Sequence, residues 1–315
     1  MTVDPTSHLI VPFAQCSGDD WLTTAASLDL KNLSQLLRAM KVIDTDTGLA
    51  DSLSPPHERV LAGALGLPAN ADGLIPWAAL DAKAEPGQAW AVVTPCHWAM
   101  GREHATLVDP EALEVSEADS RALLTAMQPY FATEGITLHY TQPTRWLAEG
   151  EVFRSLATAS LDRVLGRNVD KWLPNSKAIK LLQNEMQMLL YTHRVNDERA
   201  ARGKRSVNSF WVSGSGALTA SAPPHLQSHP QPRSQRALAQ AAFANDWTAY
   251  DEAWTRLDSS DVAQLLTQQR SGKIVRLSLC GESKAVTFET TAHGLLTKLK
   301  NVLSPQRTFD MLKQL

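Results

Sequence analysis

Between Asn175 and Gly216 the chain carries, in immediate succession, the signals for a helix, a stop and a strand, an order that packs most simply as a helix laid across a sheet. Ser176 is placed to cap a helix whose Ile179, Leu182, Met186, Leu189 and Leu190 share one apolar face. Gly203 then supplies a left-handed stop ahead of Lys204 and Arg205. The near-apolar run Val207-Asn208-Ser209-Phe210-Trp211-Val212 reads as a strand, and Ser213-Gly214-Ser215-Gly216 lets the backbone turn sharply against a bound group.

The same stretch is dense in polar side chains. Asn184, His193, Asn196 and Arg199 lie along the helix or its end, with Asn196 and Arg199 one turn apart. Asn208 interrupts the strand, and an unpaired buried amide costs roughly 1 to 3 kcal/mol, so it is either a structural clamp or a ligand contact. Asn184, His193, Asn196, Arg199, Asn208, Ser213, Gly214 and Gly216 are therefore the expected ligand-binding residues. Short motifs of this kind have low specificity, and each residue taken singly is read more readily as structure than as function.

The remainder alternates strand and helix signals, which predicts an α/β fold with a mixed sheet flanked by helices. His8 to Ala14 reads as a first strand whose carboxyl end, Ser17-Gly18-Asp19-Asp20, is a place where such folds hold ligands. Helical spacing runs from Trp21 to Met40 with Asn32 as a cap, and again from His57 to Leu65 after Pro55-Pro56. Ala89 to Pro95 and His104 to Val108 form a hairpin about Gly101, Ser116 caps a helix through Met127, and Ile136 to Tyr140 is a strand. Pro223, Pro224, Pro230 and Pro232 break regular structure, so the expected organisation is a main domain over 1–218, a linker over 219–234 and a helical segment with a hairpin about Gly281 over 235–315.

With 43% hydrophobic and 20% charged residues the chain reads as globular. A net charge of -3 provides no field for a polyanion, so nucleic acid is not an expected partner. No apolar run is long enough to span a bilayer, and Cys16, Cys96 and Cys280 are widely spaced, so a cytoplasmic location without membrane association is expected. His225 and His229 have metal-ligand spacing, but the neighbouring prolines deny them a helix. Cys96 and His97 are strand neighbours that point to opposite faces, which disfavours a catalytic pair.

The run from His193 to Gly203, followed by Val207 to Gly216, resembles a segment of about forty residues in archaeal-type cofactor-independent phosphoglycerate mutases. It is more similar still to bacterial mutase-like proteins known as E-type regulators of pathogenicity factors. That second resemblance extends to Thr94-Pro95-Cys96-His97-Trp98, to Leu165-Gly166-Arg167-Asn168-Val169 and to Trp172-Leu173-Pro174. It implies a core related to the alkaline-phosphatase-like superfamily, whose members transfer phosphoryl groups with two metal ions and a nucleophile.

Two dications require several convergent Asp and His ligands. The sequence offers Asp19, His97 and His104 as weak candidates beside Ser17 and Asp20, and no Asp-His dipeptide. The expectation is a non-catalytic regulatory protein that binds a small anionic or phosphorylated metabolite and needs no cofactor. A metal-dependent phosphoglycerate mutase or phosphatase, with a divalent cation, is the alternative. A protein-interaction module with an unidentified protein partner is the third.

Overall fold

The computed structural model describes residues 7–219, 233–290 and 308–315. The strands are β1 (Ser7–Val11), β2 (Met40–Thr47), β3 (Ala89–Met100), β4 (Ala105–Val108) and β5 (Thr137–Gln142). They continue as β6 (Arg145–Glu149), β7 (Ser209–Ala217), β8 (Arg233–Ser234), β9 (Val275–Cys280) and β10 (Lys284–Thr290). The helices are α1 (Asp19–Ser27), α2 (Lys31–Leu37), α3 (Pro56–Ala64), α4 (Trp77–Asp81), α5 (Glu117–Thr133) and α6 (Leu161–Val164). After these come α7 (Lys177–Tyr191), α8 (Arg194–Ala201), α9 (Ala237–Phe243), α10 (Trp247–Leu257), α11 (Ala263–Arg270) and α12 (Thr308–Leu312).

These elements form two compact units, one made of Met1–Asp51, Pro55–Gly66 and Pro224–Leu315, the other of Ser52–Ser54 and Leu67–Pro223. The division differs from the one expected over 1–218 and 235–315. Its cause is strand pairing at long range: β1 lies parallel to β9, with Leu9 opposite Leu277, and parallel to β8, with Ile10 opposite Ser234. Most of the Pro-rich segment expected as a linker, 220–232, lies outside the described residues.

In the first unit the sheet order is β2-β10-β9-β1-β8. Leu9, Val11, Leu277, Leu279 and Phe288 face a core completed by Trp21, Leu33, Leu36, Tyr250, Trp254 and Leu266. Alternation along each strand sends Ile10, Cys280 and Ala285 to the other face, against Val60 and Leu61 of α3. The helix expected from Trp21 to Met40 is broken at Leu28–Leu30, and Met40 opens β2 instead. Asn32 is not the cap of α2. The Asp258 carboxylate takes that role from the end of α10, accepting the backbone amides of Leu33 at 2.7 Å and Asn32 at 3.1 Å.

In the second unit β3 is the central strand of a sheet ordered β4-β3-β6-β5, with β7 also paired to β3. Ala91, Val93, Trp146, Phe210 and Val212 meet Leu123, Met127 and Phe131 of α5 and Ile179, Leu182, Met186 and Leu190 of α7. Both expected serine caps are present. Ser116 Oγ accepts from the Asp119 amide at 3.1 Å and Ser176 Oγ from the Ile179 amide at 3.3 Å. Trp21, Trp146, Trp211 and Trp254 are fully buried and supply core area. The fold is mixed α/β, two sheets each flanked by helices. Among the described residues no helix is long and apolar enough to cross a membrane.

Candidate ligand site

The long helix expected from Ser176 to Arg202 bends at Thr192–His193 into α7 and α8, and the polar residues at the bend close upon the chain itself. His193 Nδ1 accepts from the Val195 amide and so caps α8. Asn196 is buried. Its Nδ2 donates to the Leu190 and Val207 carbonyls, both at 2.7 Å, and its Oδ1 accepts from the Val207 amide at 2.8 Å. One side chain thus ties the end of α7 to the entry of β7.

Arg199 is wholly buried, with Nε donating to the Arg205 carbonyl at 2.9 Å, Nη2 to the Leu113 carbonyl at 2.6 Å and Nη1 to Asp119 Oδ2 at 3.3 Å. Arg202 reaches both oxygens of the same carboxylate at 3.2 Å. Burial alone raises the Asp119 pKa, but the hydrogen bonds from Arg202, Ser116 and Arg199 outweigh it and hold the carboxyl below its usual range. Asn208 clamps the far end of β3, accepting from the Trp98 amide at 2.8 Å and donating to the Trp98 carbonyl at 3.0 Å. Gly203 has φ of 70°, the left-handed stop expected of it.

Ser213 to Gly216 are not a loop. They lie within β7, where the pairing with β3 slips between Trp90 and Val92, so the glycines form a bulge. Gly214 has φ of 58°, and a Cβ there would stand 3.0 Å from Trp77 Cβ; one on Gly216 would stand 3.2 Å from the Leu74 carbonyl oxygen. The close approach that the Gly-Ser-Gly pattern permits is therefore made by the α4 segment of the chain. Asn184 stands apart from all of these, exposed on α7.

The weak metal candidates do not gather. His97 Nδ1 contacts the Ser206 carbonyl oxygen at 2.8 Å, and His97 pairs with Val108, away from the tight turn where the Gly101 amide meets the His104 carbonyl. Among the described residues no group of three or more His, Cys, Asp or Glu side chains is placed to hold a metal ion, so the two-metal chemistry implied by the resemblance finds no fitting ligand set there. Cys96 is buried on β3, and burial pushes its thiol pKa up, away from nucleophilic use.

A different place in the first unit carries the marks of a site. β1 has parallel neighbours on both sides, and ligands of open α/β sheets bind at the carboxyl ends of such strands. Two residues beyond β1, Phe13 holds a φ of 54°. The other non-glycine residues of positive φ among those described, Lys83, Glu114 and Asn245, each follow a helical turn. Phe13 follows a strand, where the left-handed conformation of a bulky residue costs about 1 to 3 kcal/mol.

The surrounding structure fixes that conformation. Tyr250 donates its hydroxyl to the Phe13 carbonyl at 2.7 Å and accepts from Trp21 Nε1 at 3.2 Å, while the Phe13 ring stacks edge-on against Phe243. Burial raises the Tyr250 pKa, so the phenol stays a donor. The Ala14 amide then bonds the Cys280 carbonyl at 2.8 Å, bringing the β1 loop beside the β9–β10 turn. There Ser17 donates to the Glu282 carboxylate, and a Cβ on Gly281 would meet Gln15 Oε1 at 2.7 Å. Ser17, Asp19 and Asp20 remain exposed at the start of α1. Ser17, Asp19 and Asp20 are legible in the sequence as a strand end; the contribution of Glu282, 265 residues away in the chain, had no local signal.

The second unit also has a shallow cavity of ≈ 490 Å³ lined by Gln88, Thr137, Glu149, Glu151 and Arg154. Its cation is engaged, since Arg154 bonds Glu151 and the Gly87 carbonyl.

Comparison with known proteins adds the following. No family model matches the chain, and no curated protein matches it. The solved structures similar to it at low score include two from archaea. One is a cofactor-independent phosphoglycerate mutase from Thermoplasma acidophilum DSM 1728, 14% identical, with 98% of this chain and 99% of that chain covered and a TM-score of 0.35. The other is the PH0037 protein from Pyrococcus horikoshii, 11% identical, with 95% and 93% covered and a TM-score of 0.43.

Proposed function

We propose that this chain is a small-ligand-binding protein of regulatory rather than catalytic role, and that its ligand seats at the carboxyl end of β1. The observation that carries this reading is the left-handed Phe13 at the end of a strand with parallel neighbours on both sides. Strain of that kind persists only where the surrounding structure enforces it, and it clusters at active sites and ligand clamps.

The lip of the site sets the ligand chemistry. Ser17, Asp19, Asp20 and Glu282 present hydroxyl and carboxylate oxygens, so the ligand offers hydroxyl or ammonium donors to them. A bare phosphate meets like charge there. A phosphate carried by the same ligand lies outside the acidic lip, which narrows the anionic metabolite expected from the sequence to one that also bears donors.

Calorimetric titration with ethanolamine, glycerol 3-phosphate and 3-phosphoglycerate, each with and without manganese, tests the reading. The expected result is binding of at least one donor-bearing compound that weakens at least tenfold in Asp19→Asn, without turnover. Absence of binding to all three, or manganese-dependent turnover of 3-phosphoglycerate, overturns it.

A further inference from the structure

Gly281 opens the turn between β9 and β10, yet its backbone is not left-handed, so what the position demands is room. A Cβ there would stand 2.7 Å from Gln15 Oε1 and 3.1 Å from both the carbonyl carbon and the carbonyl oxygen of Leu315. The Gln15 amide is itself fixed, since its Nε2 donates to the Cys16 carbonyl at 2.8 Å. The segment that follows α12 is thus laid into the carboxyl end of β1, over the glycine that borders Glu282.

α12 has five residues, too few to hold a helix by its own hydrogen bonds, so its contacts with the rest of the unit hold it. At its start Thr308 Oγ1 bonds Ser34 Oγ of α2. Leu312 and Leu315 are buried in the same core cluster as Phe13, Ala14 and Cys16. Beyond the helix Lys284 Nζ donates to the Gln314 carbonyl at 2.8 Å. One turn therefore carries two duties: Glu282 accepts from Ser17 at the lip of the site, and Lys284, two positions on, grips the segment laid beside it.

We infer that Lys313–Leu315 form an autoinhibitory strap at the carboxyl end of β1, an inference that rests on that end being the ligand site. A ligand that engages Ser17 and Glu282 takes the space over Gly281 that Leu315 fills. Binding then requires the strap to leave, and the apparent affinity falls in proportion to the fraction of chains in which it has left. None of the strap's contacts belongs to the sheet ladder, so release leaves β1, β9 and β10 paired. By the same linkage, ligand and strap compete: whatever draws the strap away admits the ligand, and the ligand once bound keeps the strap off.

Calorimetric titration of the full chain with ethanolamine, glycerol 3-phosphate and 3-phosphoglycerate, beside hydrogen exchange of residues 308–315, tests this. Two variants loosen the strap without changing charge at the lip: Leu315→Ser, which removes its buried anchor, and Thr308→Val, which removes the hydroxyl pair with Ser34 at a distance from the site. The compound that binds the wild type is expected to bind Leu315→Ser at least tenfold more tightly and Thr308→Val about threefold more tightly. Saturating the wild type with it is expected to quicken exchange at Lys313–Leu315. If Leu315→Ser fails to fold, Thr308→Val and the wild-type exchange decide the matter. Wild-type binding that is matched or weakened in the folded variants, or exchange at Lys313–Leu315 that is unchanged or slowed by ligand, overturns the strap and leaves the ligand site standing. Absence of binding to the wild type by all three compounds overturns the ligand site and the strap with it.

Discussion

Arg199 Nη1 meets Asp119 Oδ2 at 3.3 Å, joining α8 to the first turn of α5 with 0% and 9% of the two side chains exposed. Three of the arginine's nitrogens are engaged, two of them by main-chain carbonyls, so the residue works as a bolt. Replacing it leaves a buried carboxylate and two carbonyls short of donors. Arg199→Ala is expected to lose about 3 to 5 kcal/mol of stability in urea unfolding, with Arg199→Ala/Asp119→Ala losing less than the sum of the single variants.

Acid stability reports on His8. Its Nε2 lies 2.8 Å from Ser278 Oγ, which lies 2.7 Å from Thr287 Oγ1, and burial, with a smaller contribution from Arg276, lowers its pKa to about 4. The unfolded chain takes up the proton near pH 6.5 and the folded one near 4, so stability falls as pH drops through that window and levels off below it. The loss amounts to roughly 3 kcal/mol at most. His8→Gln is expected to flatten this part of the profile in unfolding experiments at successive pH values.

Asn208 is expected to matter for the end of β3 rather than for any ligand. Asn208→Ala deprives the Trp98 amide and carbonyl of their partner, at about 1 to 3 kcal/mol if they stay buried. Hydrogen exchange should quicken first at Trp98, while ligand affinity stays within a factor of two of wild type. A large loss of affinity would return Asn208 to the ligand site.

The bulge in β7 gives a steric prediction. Gly214→Ala forces a side chain into a left-handed backbone with Trp77 Cβ only 3.0 Å away. The expected loss exceeds ~1 kcal/mol. Gly203→Ala, where no atom lies within 4 Å of the added Cβ, suffers the backbone strain alone and should cost less in parallel thermal melts.

What the sequence made legible was local chemistry. The Ser116 and Ser176 caps, the Gly203 stop and the hairpin about Gly101 are decided within a few residues, and each stands where expected. The pairing of β1 with β9 joins residues more than 260 positions apart and leaves no trace in either segment. β2 escaped notice because Met40–Thr47 is an edge strand exposed on both faces and so lacks the alternation that marks a half-buried one. In the motif from Asn175 to Gly216 the polar residues were conspicuous, but composition does not distinguish an amide that meets a ligand from one that meets a neighbouring main chain.

Backbone chemical-shift mapping during titration with ethanolamine, glycerol 3-phosphate and 3-phosphoglycerate tests the central claim most directly. The account predicts perturbations centred on Gln15–Asp20 and Gly281–Ser283 for any compound that binds, with Asn196, Arg199 and Asn208 unmoved. Perturbations centred on Asn196, Arg199, Asn208 and Gly214–Gly216 instead would contradict it.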